Sequence, residues 1–255
     1  MDRTQNTLIV ERFGARADAY LGSVVHAQGA DLAALAALVA SRPGCRVLDL
    51  GCGGGHVAYA AAEAGAGEVV ACDLSAEMLA VVAAEAARRG LGTIRTEQAS
   101  AERLPFAGDT FDVVLSRYSA HHWRDFDAGV GEAARVLRRG GVAGFADAVS
   151  AVPGAHDSFL QATELLRDTS HVRDRSVAEW IDAATRAGLT AVQTTTDRAR
   201  MEFPSWITRM ATPADMTTAI RALQAAMSTT VREHFAVEAD GSFTIDTATM
   251  VFAKP

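Results

Sequence analysis

One short stretch restricts this chain more than any other: Arg46-Val-Leu-Asp-Leu-Gly-Cys-Gly-Gly-Gly-His56, an apolar run that passes straight into glycine. An apolar run of this length without alternation reads as a strand buried on both faces, the kind found in parallel sheets. The glycines let the backbone bend sharply and approach a ligand closely. Residues 57–64 then read as a helix, stopped at Gly65, whose free N-terminal amides open onto the bend.

The same alternation repeats along the chain. A helix is expected over 31–41, with Leu32, Leu35, Ala36 and Val39 at helical spacing before Pro43-Gly44 ends it. Residues 67–74 form a second strand, and Ser75 caps a helix that ends at Gly90. Strands follow at 93–98 and 110–116. A helix over 125–137 carries Arg138 and Arg139 in its last turn, where a helix C-terminus favours cations, and Gly140-Gly141 separates it from a fifth strand at 142–148. Ser176 caps a helix to 187, 189–198 is a strand, 204–236 is mainly helical, and 242–255 closes as a strand. Strands alternating with helices imply crossover units and a parallel sheet. The expectation is a single domain over 1–255: a seven-stranded, mostly parallel, Rossmann-like sheet with helices on both faces and an antiparallel last strand. Its cofactor-binding core is 31–150, and 151–175 and 200–236 are lid or substrate insertions.

Composition removes several alternatives. Of 255 residues 49% are hydrophobic and 22% charged, which suits a folded core rather than disorder. Net charge is −7 with no basic stripe, so no nucleic-acid partner is expected. Lys254 is the sole lysine, which leaves no P-loop lysine and no Schiff-base lysine. Cys45, Cys52 and Cys72 are odd in number and contain no CxxC, pointing to reduced thiols and no metal site. The N-terminal residues lack a signal-peptide layout and no apolar run reaches membrane-spanning length, so a cytoplasmic protein without a membrane span is expected.

The ligand class follows from two acids. The pattern is DxGxGxG, and the third glycine of a dinucleotide fingerprint is replaced by His56. Asp49, at the end of the first strand, would repel a pyrophosphate and suits an ammonium group. Asp73, at the end of the second, can accept from both ribose hydroxyls. One acid for an amine and one for a ribose describes S-adenosylmethionine. An NAD-dependent oxidoreductase is the first alternative; the second is a non-catalytic protein that keeps the fold and binds the cofactor.

Four segments, VLDLGCGGGHVA, VVACDLSAEML, AERLPFAGDTFDVVLSRYSAHHW and EAARVLRRGGVAGFAD, together resemble the class I S-adenosylmethionine-dependent methyltransferases, above all the branch named for ubiquinone and menaquinone biosynthesis C-methyltransferases. The resemblance implies a role for each matching position. Asp49 and the loop of Gly51, Cys52, Gly53 and Gly55 would hold the methionine end. Asp73 would take the ribose, and Leu74 would pack on adenine. Ser100 stands where relatives carry an aspartate that accepts from the adenine amine, and the Ala101 amide would read the ring. Ser116 and Arg117 would line the methionine portion, and Tyr20 would close over it.

Methyl transfer asks mainly for positioning, with aromatic walls for the sulfonium; Phe13, Tyr20, Tyr118 and Trp123 are candidates. An acidic carbon or hydroxyl acceptor also benefits from a base. His121 and His122, after the fourth strand, are the catalytic candidates, and His26 is a weaker one. Trp180, Trp206, Met201, Phe203, Met210 and Met216 serve either a lid or an ordinary core. The expected reaction is transfer to a small carbon or oxygen nucleophile of aromatic, quinol or secondary-metabolite type, by a monomer or homodimer.

Overall fold

Alternate side chains of the central strands feed two separate cores. In the computed structural model, which describes residues 4–14, 29–151 and 154–255, the sheet has seven strands in the order β3-β2-β1-β4-β5-β7-β6. They are β1 (Arg46–Leu50), β2 (Glu68–Asp73), β3 (Ile94–Gln98), β4 (Phe111–Arg117), β5 (Leu137–Ala148), β6 (Thr190–Met201) and β7 (Phe243–Ala253). The pairs β1–β2, β1–β4, β2–β3 and β4–β5 are parallel. Strand β7 runs antiparallel to both neighbours. The expected architecture is therefore present, with its last strand reversed.

On one face Val47, Val69, Val113 and Leu115 pack against α2 (Ala30–Ala40), α3 (His56–Glu63) and α4 (Ala76–Arg89). On the other, Leu48, Leu50, Val70 and Val114 pack against α5 (Phe126–Val136) and α7 (Val177–Arg186). Burial on both faces explains why these strands read as unbroken apolar runs. Each fully buried Val or Leu contributes about 1.5–3 kcal/mol. Ser75 caps α4 by accepting from the Met78 amide, and Ser176 and Glu179 form a reciprocal capping box on α7.

One boundary differs from the sequence reading. Helix α5 stops at Val136, and Arg138 and Arg139 lie on an irregular start of β5, where the register shifts between Phe111 and Val113 and Gly140 has φ 74°. The cation at the helix C-terminus is instead Lys254, whose ammonium donates to the carbonyls of Ala134 and Leu137 at 2.9 and 2.6 Å. A residue from the far end of the chain supplies the interaction that local spacing assigned to neighbours.

The later helices make a third core. Phe159 and Leu160 of α6 (Gly154–Arg167), Phe203 and Trp206 of α8 (Phe203–Met210), Ile220 of α9 (Ala214–Ala226) and Val231 of α10 (Thr229–His234) surround Phe243 and Ile245. Trp206 is buried there, Met210 is also buried, and Trp180 of α7 is buried against Phe126 and Phe145. These tryptophans are core. Near the N-terminus, where the sequence is mixed and polar, residues 5–14 form a helix, α1 (Gln5–Gly14). Its signal was the pair Ile9 and Phe13, one turn apart. Among the described residues no helix is long and apolar enough to cross a membrane.

Candidate active site

A cleft of about 1000 Å³, its open mouth included, lies at the carboxyl edge of β1, β2 and β4. This is the edge at which doubly wound sheets bind ligands. Asp49, Gly51, Cys52, Gly53, Asp73, Leu74, Ser100, Ala101 and Arg117 all line it. Gly55 and Ser116 are not among the lining residues: Gly55 starts α3 with φ 83° and Ser116 is buried within β4. Tyr20 and His26 lie outside the described residues.

The glycine loop is fixed by its neighbours. Gly51 has φ 70°, and a Cβ there would stand 1.8 Å from the Ser119 hydroxyl. Gly53 has φ 48° and nothing within 4 Å of the place a Cβ would occupy, so its backbone faces open space. The Asp73 carboxylate ties this loop down. Its Oδ2 accepts from the Gly53 amide and its Oδ1 from the Ser75 amide, both at 2.9 Å. Each oxygen keeps a further lone pair.

Asp49 is 1% exposed. One carboxylate oxygen accepts from the Ala58 amide at 2.9 Å, and the other, buried Oδ1, has no partner. Burial pushes its carboxyl up to about 7, against the pull of the Ala58 amide, and the charge of Asp73 adds to the rise. Burial also raises Asp73, against the amides of Ser75 and Gly53. Buried Asp49 and half-buried Asp73 thus face one cleft, while Arg117, the guanidinium at that end among the described residues, is bonded to Asp31 at 2.6 and 3.1 Å. A ligand carrying positive charge compensates them.

At the base end, the Ser100 hydroxyl donates to Glu102, whose other oxygen accepts from the amides of Arg124 and Asp125. Glu102 also lines the cleft, so the acid absent at position 100 has a carboxylate beside it.

The far end is built from distant segments. Asn6, Ile9 and Phe13 of α1 line it opposite Tyr118, Ser119, His122 and Trp123. Sequence reading singled out Phe13, Tyr118 and Trp123 here but not the helix that presents the first. Among the described residues, none that lines the cleft comes from the segments expected as lids. Instead the loop after α6 braces α1: the Ser170 carbonyl accepts from Gln5 at 2.6 Å and from His122 Nδ1 at 3.1 Å. The two adjacent histidines part company. His122 lines the cleft, and among the described residues its Nε2 has no hydrogen-bond partner. His121 sits behind it and donates through Nδ1 to Asp147 Oδ1 at 2.6 Å. Burial opposes charging His121, but Asp147 outweighs it and lifts the imidazole to about 9. Burial and the His121 charge lower His122 to about 4. His121, Asp147 and Asp174 form the close His–Asp grouping among the described residues, with donor atoms within 4.8 Å. Within this grouping Nδ1 of His121 and Oδ1 of Asp147 are hydrogen-bonded to each other.

Comparison with known proteins fits this geometry. Residues 48–145 match a family model described as a methyltransferase domain. The chain is 48% identical over 178 residues to the uncharacterized protein YafE of Escherichia coli, covering 70% of this chain and 86% of YafE. It is 36% identical over 204 residues to the uncharacterized methyltransferase YcgJ of Bacillus subtilis, covering 80% of each. The crystal structure of YcgJ superposes with a TM-score of 0.84 at 31% identity over 88% of this chain and 97% of that one. A putative methyltransferase from Bacillus halodurans gives 0.85 at 31% identity, covering 89% of this chain and all of its own. The dinucleotide alternative is thereby set aside: the chain belongs to the class I S-adenosylmethionine-dependent methyltransferases.

Proposed function

We propose that this methyltransferase acts on a small aromatic or quinol-like acceptor and methylates a carbon or oxygen that loses a proton as it reacts. S-adenosylmethionine, when bound, supplies the methyl group. Asp49 would meet the ammonium through its unpartnered oxygen, with the Gly51–Gly53 backbone alongside. Asp73 would take the ribose hydroxyls on its spare lone pairs. Leu74, Ser100 and the Ala101 amide would hold the adenine, and Arg117 would flank the methionine portion.

His122 would act as the base. Its Nδ1–H is committed to the Ser170 carbonyl, which leaves a lone pair on Nε2. General bases of this kind contribute about 10²–10⁴-fold. Ile9, Phe13 and Trp123 give the same end apolar and aromatic walls, which favours a ring-bearing acceptor and excludes water.

The observation that carries this reading is the cleft's polarity: the carboxylates of buried Asp49 and half-buried Asp73 at one end, and the His122 imidazole, its Nδ1–H held by the Ser170 carbonyl, among apolar rings at the other. Turnover on matched phenols, quinols and amines tests it. The expected result is methylation of phenols or quinols with at least about tenfold loss in His122→Gln; methylation of amines alone, with His122→Gln unaffected, would overturn it.

A further inference from the structure

We propose that His121 is a positioning residue: held as an imidazolium by Asp147, it keeps the neighbouring His122 neutral and its Nε2 lone pair free. This rests on the reading of His122 as the base, and concerns the pair behind it that the cleft does not reach.

The geometry is that of a caged cation. Asp147 is buried at the end of β5. Its carboxylate accepts from the amides of Ala120 at 3.0 Å and Ala148 at 2.9 Å, and from His121 at 2.6 Å. Three donors satisfy it, and one of them brings the only proton that can be shared. The His121 backbone is also clamped, its carbonyl accepting from Val172 and Arg173 at 2.8 and 3.1 Å. The His121 and His122 rings then lie 4.2 Å apart between centroids. Two imidazolium ions at that separation, both buried, repel strongly, so the one with a carboxylate partner takes the proton.

The other charged and titratable groups around His122 do not reverse this. Asp168, in the loop after α6, is the nearby anion, and Arg12 of α1 stands 3.8 Å from it. His171 is lowered by burial to about 2 and carries no charge, its Nε2 donating to Gln161 at 2.9 Å. Asp174 is 1% exposed with an unpartnered Oδ2, and burial raises its carboxyl, so it is the weaker counter-ion. Glu164 of α6 is committed to Arg167 at 3.4 Å. Among these groups His121 is the cation in contact with His122.

The device removes a common difficulty. A histidine base beside carboxylates tends to be protonated at neutral pH and useless as a base. Placing the carboxylate on its neighbour instead turns that neighbour into a cation, and the cation holds the base deprotonated.

Nitrogen NMR of the full-length protein with ¹⁵N-labelled histidine tests this without an acceptor. In the wild type His121 is expected to be doubly protonated at pH 7, and His122 to stay the neutral Nδ1–H tautomer down to about pH 5. In His121→Gln and in Asp147→Asn the protonation midpoint of His122 is expected to rise by at least about one pH unit, as loss of an adjacent cation requires. A neutral His121 in the wild type at pH 7 overturns the proposal, as does an unmoved His122 midpoint in either variant that retains its fold. If turnover fails on every acceptor while these shifts appear, the role of His122 as base is wrong and the electrostatic coupling stands.

Discussion

The two ends of the cleft are made in different ways. At the glycine end the carboxylate contacts of Asp49 and Asp73 are set within two strand–turn–helix units, residues 49–58 and 73–78, and backbone amides do the positioning. At the histidine end, Gln5, His122 and Ser170 meet at one carbonyl although 165 residues separate the first from the last. Local geometry with glycines is rigid, and at Gly51 it leaves no room for a side chain. The distant assembly is adjustable, which suits the part of the molecule that selects an acceptor.

The sharpest break in this contrast is at the glycines. Gly51→Ala places a methyl group against Ser119 at a left-handed φ and should cost about 3 kcal/mol, combining overpacking with backbone strain. Gly53→Ala, with open space around it, should cost only about 1 kcal/mol while weakening S-adenosylhomocysteine binding. Urea titration and calorimetry together distinguish the two; equal stability losses would mean that the loop is not held as described.

Asp49 gives the next largest effect. Its folded carboxyl is raised above the unfolded value of 3.8 to about 7, so the folded state keeps a proton that the unfolded state has lost. Stability therefore falls as pH rises from about 4 to 7 and levels off above that. Asp49→Asn removes this loss, about 4 kcal/mol at pH 8, and leaves an amide without a partner at a cost of about 2 kcal/mol, for a net gain of roughly 2 kcal/mol at pH 8 that turns into a loss of about 1 kcal/mol near pH 4. Thermal melts of both proteins across that range check the sign. A variant less stable than wild type at pH 8 would show that Asp49 is compensated in the free protein.

At the other end, Phe13→Ala should leave affinity for S-adenosylhomocysteine within about fivefold, since a truncation of this size removes at most roughly 1 kcal/mol at a partly open wall. It should raise the acceptor KM instead. A large loss of cofactor affinity would mean that α1 belongs to the glycine end.

This contrast also explains what the sequence could and could not reveal. The strands, the Ser75 and Ser176 caps and the two acids are legible because each depends on residues within a turn or two. The placement of Lys254 under α5 is not, because the helix C-terminus accepts any nearby cation and Arg138 and Arg139 were nearer in sequence. The cover of the cleft was expected from 151–175 and 200–236, yet among the described residues it is α1, whose short amphipathic pattern carries little weight alone. Trp180 and Trp206 looked equally suited to lid and core, and only packing decides between them. The split roles of His121 and His122 depend on Asp147 and Ser170, which no spacing connects to them.

Buried Asp49 and half-buried Asp73, with no counter-cation bonded to either among the described residues, are proposed to meet a positively charged nucleoside. Titration calorimetry with S-adenosylhomocysteine and with its analogue lacking the amino group, on wild type and Asp49→Asn, tests this directly. The account predicts that the analogue binds wild type about thirtyfold more weakly, near 2 kcal/mol, and that this difference disappears in the variant. Equal binding of both compounds to wild type, or an undiminished difference in Asp49→Asn, would contradict it.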